Sequence, residues 1–196
     1  MRSPLHRLPH RVRIVVDWVG TIVFAVAIVL AIKQWVVNPY RIPSSSMEPT
    51  LHCARPGAEC ESSASDRVLA CRFCYDLRSP HRGDVVVFET PPAAVRACGA
   101  GGTYVKRLIG LPGDVWSERN GVVYIDGEPL REPYVRPTYR DAFDYPAEKI
   151  PPGRYFFMGD NRKYSCDSRR WGTVPRKDIV GLVFATYWPL GRISIR

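Results

Sequence analysis

Thr103-Tyr104-Val105-Lys106-Arg107-Leu108-Ile109-Gly110-Leu111-Pro112-Gly113-Asp114 opens as a run of β-branched and apolar residues and closes on a glycine-proline turn, so it predicts a strand and its exit. Side chains alternate along a strand, which puts Tyr104, Lys106 and Leu108 on one face and Val105, Arg107 and Ile109 on the other. Lys106 then shares its face with apolar neighbours, although a strand lysine ordinarily reaches into solvent.

Outward from this run the same grammar repeats. Arg82-Gly83-Asp84 turns into Val85-Val86-Val87-Phe88, a second strand, and the Pro/Ala/Gly-rich residues 89–102 predict a loop between the two. Asn120-Gly121 and Asp126-Gly127 flank Val122-Val123-Tyr124-Ile125 as hairpin turns do. Residues 128–152, rich in Pro, Tyr and charge, predict an extended surface excursion. Arg154-Tyr155-Phe156-Phe157-Met158 and residues 179–187 read as buried strands, and Arg67-Val68-Leu69-Ala70 as a short one. Many short strands, Gly/Pro turns and no amphipathic helix after residue 38 predict a mainly β class, a coiled β-sheet or barrel.

The 196 residues suffice for one buried domain, residues 38–196, plus an appendage. Net charge is +9, but Arg2, Arg7, Arg11 and Arg13 stand without an acid in residues 1–13, leaving 24 basic against 19 acidic residues elsewhere. That mild excess, with no basic helix or aromatic-basic interleaving, argues against a nucleic-acid partner. Residues 14–37 read IVVDWVGTIVFAVAIVLAIKQWVV. Their uncharged core, residues 18–32, would rise about 22 Å as a helix, so crossing a bilayer needs the flanks too. Asp17 and Lys33 can reach headgroups there, and Trp18 and Trp35 suit the interfaces. Arginines before the segment place the N-terminus in the cytoplasm and the body outside. A cleaved signal peptide ending at Ala25-Val26-Ala27 and a buried soluble helix are the competing readings.

Nine residues beyond this anchor, within roughly 30 Å of it by extended chain, comes Ser46. It lies in Pro43-Ser44-Ser45-Ser46-Met47-Glu48-Pro49, where the two prolines oppose helix. A serine so held becomes a nucleophile only beside a base. His52 and His81 are available outside the membrane, but both lie in the cysteine-containing stretch, residues 52–83. A lysine can serve if burial strips its proton, and Lys106 is the best placed. A hydroxyl from the turn around Ser165 could orient the amine. Cys53, Cys60, Cys71 and Cys74 have a spacing that admits disulfides, a zinc site or free thiols, with Cys98 and Cys166 left over. Their pairing is not deducible.

The chain resembles the bacterial type I signal peptidases, membrane-anchored leader peptidases of the Ser-Lys class. Four blocks match in order: residues 43–51, 82–88 and 104–114, and Gly159-Asp160-Asn161-Arg162 continuing through Ser165, Asp167-Ser168-Arg169 and Trp171-Gly172. The run from Gly121 to Tyr134 also resembles the family's hairpin, with Glu132-Pro133-Tyr134 trailing it. The resemblance implies Ser46 as nucleophile, Lys106 as general base, and an oxyanion hole from Ser44 and the Ser46 N–H. It also implies Ser165 as the residue holding the amine, with Asp160, Asp167 and Arg169 as structural support. It implies no metal or organic cofactor, signal peptides with small residues at −3 and −1 as substrates, and the lipid bilayer as a partner. The expected state is a monomer in the cytoplasmic (inner) membrane, single-pass, with its catalytic domain outside. A narrower Ser-Lys processing peptidase and a non-catalytic envelope binding protein are the alternatives. Three departures stand out: Lys163-Tyr164 replaces an acidic and amide pair, Ser45 stands where glycine is common, and residues 52–65 form a cysteine-containing insertion.

Overall fold

The computed structural model describes residues 9–35, 37–99 and 101–196, the side chains of His10 and residues 31–35 excepted. Two compact units divide the chain, residues 1–37 and 38–196. The first contains α1 (His10–Trp35), one helix whose stretch Arg11–Leu30 is long and apolar enough to cross a membrane. Its described side chains are exposed, Trp18 at 67%. The expected interfacial placement of Lys33 and Trp35, and most of the basic tail, lie outside the described residues.

The second unit holds β1 (Val37–Arg41), which begins at the last residue assigned to the anchor, and β2 (Arg67–Cys71), β3 (Val85–Glu89) and β4 (Thr103–Gly110). There follow β5 (Val115–Arg119), β6 (Val122–Ile125), β7 (Glu128–Pro129), β8 (Tyr145–Lys149), β9 (Arg154–Met158), β10 (Val174–Pro175), β11 (Ile179–Trp188) and β12 (Ser194–Ile195). The large sheet runs β1-β2-β11-β3-β4-β9-β10, with β12 on β11, and a smaller one runs β7-β6-β5-β8. Register shifts along β11 and at the end of β4 mark bulges, which bend and twist a sheet so that it curls.

Both faces of the central strands are buried, and alternation sorts their side chains. Val86 and Phe88 of β3, Leu108 of β4 and Phe157 of β9 share one cluster, with Phe88 and Phe157 stacked at 4.5 Å. Val85 and Val87 face a second cluster with Ile42, Met47 and Leu51, while Ile109, Phe156 and Met158 meet the small sheet at Trp116. The β5–β6 turn is tight because Asn120 and Gly121 both have positive φ, and a Cβ at residue 121 would collide with the Asp141 carbonyl oxygen.

Two expectations need correction. Residues 89–102 are not all loop: a short helix (Pro92–Cys98) starts on Pro92 and ends on Gly99 with φ +71, the proline-start, glycine-stop signature. The excursion 128–152 contains β8, which pairs with β5 and packs Tyr145 on Trp116. Because β8 is exposed on nearly every residue, it has no apolar alternation by which to be recognised. Numbered in chain order, the helices after α1 are α2 (Cys74–Leu77), α3 (Pro92–Cys98) and α4 (Ser168–Trp171). The third packs on the fourth, which lies beside β9.

All six cysteines are paired, Cys53–Cys60, Cys71–Cys74 and Cys98–Cys166, which removes the zinc and free-thiol alternatives. The third bridge spans 68 residues and the second only 3. By chain entropy these closures are worth about 4 and about 2 kcal/mol. Replacing Cys98 and Cys166 together by serine is therefore expected to lower the urea midpoint of the full chain in detergent more than replacing Cys71 and Cys74. Equal losses would contradict this.

Candidate active site

Ser46 sits in a single 3-10 turn, Ser45–Met47, entered from an extended Ser44. Burial of Ile42, Met47 and Leu51 in one core cluster pins the segment on both sides of the serine. The Asn161 N–H donates to the Ser46 carbonyl at 3.1 Å, joining this loop to the turn after β9. Only glycine fits at 159, where a Cβ would collide with both Ser165 Oγ and the Ser46 carbonyl oxygen. No feature of the surrounding sequence signals that close approach.

Lys106 Nζ is hydrogen-bonded to Ser46 Oγ at 2.5 Å, across 60 residues of chain. The lysine is 4% exposed and the serine 7%. Burial holds the amine down at about 8, against opposing pulls from the Asp167 and Asp160 carboxylates and with help from Arg169. At neutral pH a usable fraction is free base, where an exposed lysine would have almost none. The Tyr104 ring lies 5.6 Å from Nζ, on the face that alternation assigned. Ser44 Oγ is 3.2 Å from Ser46 Oγ. The Ser46 N–H is in the first turn of its helix, where no intrahelical carbonyl precedes it.

The remaining expected residues divide. Ser165 Oγ is buried, and no hydrogen bond of normal geometry joins it to Lys106 among the described residues. Asp167 accepts from the Gly159 N–H at 3.1 Å and from Arg169 Nε at 2.9 Å. Burial would raise this carboxyl, but Arg169, with lesser help from the nearby Ser165 hydroxyl and Lys106, outweighs it and the pKa is lowered. Arg169 also reaches Asp141 at 2.6 Å. Asp160 faces elsewhere: it takes Arg107 at 2.6 and 2.8 Å and the Thr50 hydroxyl at 2.5 Å, clamping β4 to the end of the nucleophile loop. Arg107 and Thr50 were missed; a buried arginine on the opposite strand face from Lys106 was their only signal.

Neither candidate histidine approaches the serine. His52 pairs with Glu48, and His81 bonds Arg78. Glu48, His52 and Glu61 bring possible ligand atoms within 4.8 Å of one another. Those atoms are already committed: Glu48 accepts the Cys53 and Glu61 N–H groups, and Glu61 takes Arg136 and Tyr139. The cluster therefore fits as a brace tying the insertion to the serine loop.

Ser44, Ser46 and Lys106 line a cavity of about 480 Å³ bounded by Tyr40 to Pro43 on one side and Thr103 to Val105 on the other. β9 pairs with β4 only from Arg107 onward, so the edge of β4 at residues 103–106, which β9 does not cover, borders that groove. A hydroxyl and a desolvated amine in contact beside such an edge are what a Ser-Lys peptidase requires. The family model for "Signal peptidase, peptidase S26" matches residues 15–188. "Probable signal peptidase I-2" of Synechocystis is 38% identical over 89% of this chain and 74% of that protein. Signal peptidase I P of Bacillus subtilis subsp. natto is 32% identical over 91% and 92%. A crystal structure of a signal peptidase I from Enterococcus faecalis aligns with TM-score 0.44 and 32% identity, over 54% of this chain and 97% of that one. The chain belongs to the signal peptidase family, peptidase S26.

Proposed function

We propose that this protein is a membrane-anchored serine endopeptidase that removes N-terminal signal peptides from exported preproteins. The observation that carries the chemistry is the contact between Ser46 and a buried Lys106. An extended substrate lies in the groove along residues 103–106 of β4 and is held by main-chain hydrogen bonds, with small side chains turned into the groove. Neutral Lys106 takes the Ser46 proton as Oγ attacks the scissile carbonyl. Ser44 Oγ and the Ser46 N–H stabilise the oxyanion. The lysine then gives its proton to the leaving amine, and with water it repeats the cycle to hydrolyse the acyl-enzyme. Ser165, at the edge of the same turn, orients the amine once the substrate has excluded water, with Asp167 and Arg169 holding that turn.

α1 anchors the enzyme, with the arginine-rich end in the cytoplasm and the catalytic unit outside the inner membrane, where its substrates emerge. The test is cleavage of a model preprotein by the protein in detergent across pH. Because the active form is the free amine, kcat/KM is expected to climb with pH through an apparent pKa of about 8. A climb only near about 10.4, the value of a free lysine, contradicts a desolvated base. A panel of preproteins separates a general enzyme, which cuts many, from a processing peptidase that cuts one.

A further inference from the structure

The Cys98–Cys166 disulfide is built into the catalytic groove: both cysteines line it together with Ser44, Ser46 and Lys106. It is also the most open of the three bridges. Cys53, Cys60 and Cys71 are buried, so each of the other two has a cysteine shut away from solvent, whereas Cys98 and Cys166 are both partly exposed. Cys166 follows Ser165 directly, and among the described residues no backbone–backbone hydrogen bond holds either of them. This short segment is fixed at its flanks. The 3-10 turn Arg162–Tyr164 precedes it, and Asp167, bound to the Gly159 N–H and to Arg169, follows it. Between those points the sulfur bond to Cys98 sets its place.

At its other end the bridge holds α3, which has little else to fix it. A helix of 7 residues is marginal alone, and Ala94 is its one buried residue. Its exit toward β4 passes Gly99, Gly101 and Gly102, residues that leave the backbone free to turn. The loop closed by the bridge thus takes in the strand bearing Lys106, and its ends meet beside the serine expected to orient that amine. A dithiol opens such a bridge by exchange. One of its thiolates attacks a cysteine sulfur, its second thiol then closes the reagent's own disulfide, and Cys98 and Cys166 are left as two thiols. Once the sulfurs separate, α3 and the Ser165 turn can part, and water gains the wall of the groove.

We infer that the Cys98–Cys166 disulfide is a positioning element of the active site, and that a dithiol which opens it switches cleavage off. The inference rests on the signal-peptide reading and adds to it a dependence on an oxidising compartment. It is tested by titrating the full chain in detergent with dithiothreitol and locating the released thiols by alkylation and mass spectrometry. Cys98 and Cys166 are expected to appear first. At that point kcat/KM on a model preprotein is expected to fall at least about tenfold, since a misplacement of about 1 Å can cost about a hundredfold. Its climb with pH should also move up from about 8, because an amine reached by water returns toward the value of a free lysine. Reoxidation should restore both. Cys98→Ser combined with Cys166→Ser should behave as the reduced protein and ignore the dithiol, whereas Cys71→Ser combined with Cys74→Ser should respond as the unaltered protein does. Full activity with the bridge open, or a fall with an unmoved pH profile, overturns the positioning role while leaving the cleavage reading intact. Release of the other thiols first overturns the switch. No cleavage by the oxidised protein overturns the cleavage reading and the inference with it.

Discussion

Replacing Ser46 by alanine, or Lys106 by methionine, is expected to lower kcat/KM on a model preprotein by at least about 10⁴-fold, and the double variant is expected to be no worse than either single one. Non-additivity follows because the hydroxyl and the amine act as one unit, joined at 2.5 Å. The two variants should part company in stability. Ser46→Ala removes one oxygen from a short loop held by its neighbours, so the thermal transition should hardly move. Lys106→Met keeps the stem and removes an amine whose pKa falls from 10.5 to about 8 on folding. At pH 7 both folded and unfolded lysine are mainly protonated, and the folded state bears the desolvation cost, about 3 kcal/mol. As pH rises from about 8 toward 10.5 the folded protein has lost that proton and the unfolded chain has not, so wild-type stability rises and the advantage of methionine fades. An inactive variant with a raised melting temperature at pH 7 is the signature of a base kept at a structural cost. Retained cleavage in either variant removes the dyad.

The second large effect is on stability. Asp167→Ala is expected to cost about 3–5 kcal/mol, because it leaves the nearly buried Arg169 guanidinium and the Gly159 N–H short of an acceptor. For a unit of this size that lowers Tm by roughly 10 °C. The carboxyl is held below its ordinary range, so its contribution is complete above the unfolded pKa of about 4 and disappears as pH falls through the lower folded value. Melting curves of wild type and variant should therefore converge in strong acid. A persistent gap there would assign the loss to packing instead of the ion pair.

Local pattern accounts for much of the fold. The period of two in residues 103–109 put Tyr104 and Leu108 on one face and Val105 on the other, and the core clusters divide these residues the same way. Turn chemistry at Asn120-Gly121 located the hairpin. β8 and α3 escaped for opposite reasons. The strand has almost no buried face, and the helix hides its proline-start and glycine-stop within a composition that reads as loop.

The sequence by itself determined the strand bearing Lys106, the face that lysine shares with Tyr104, the single apolar helix and the mainly β class, because alternation, turns and an apolar run are properties of neighbouring residues. Tertiary structure alone decided that the amine is stripped of water and meets Ser46, that Asp160 clamps Arg107 and Thr50 while Asp167 takes Arg169, and which cysteines pair. Desolvation and ion pairing depend on groups brought together from tens of residues apart, and no local pattern encodes the surroundings in which a charge must sit.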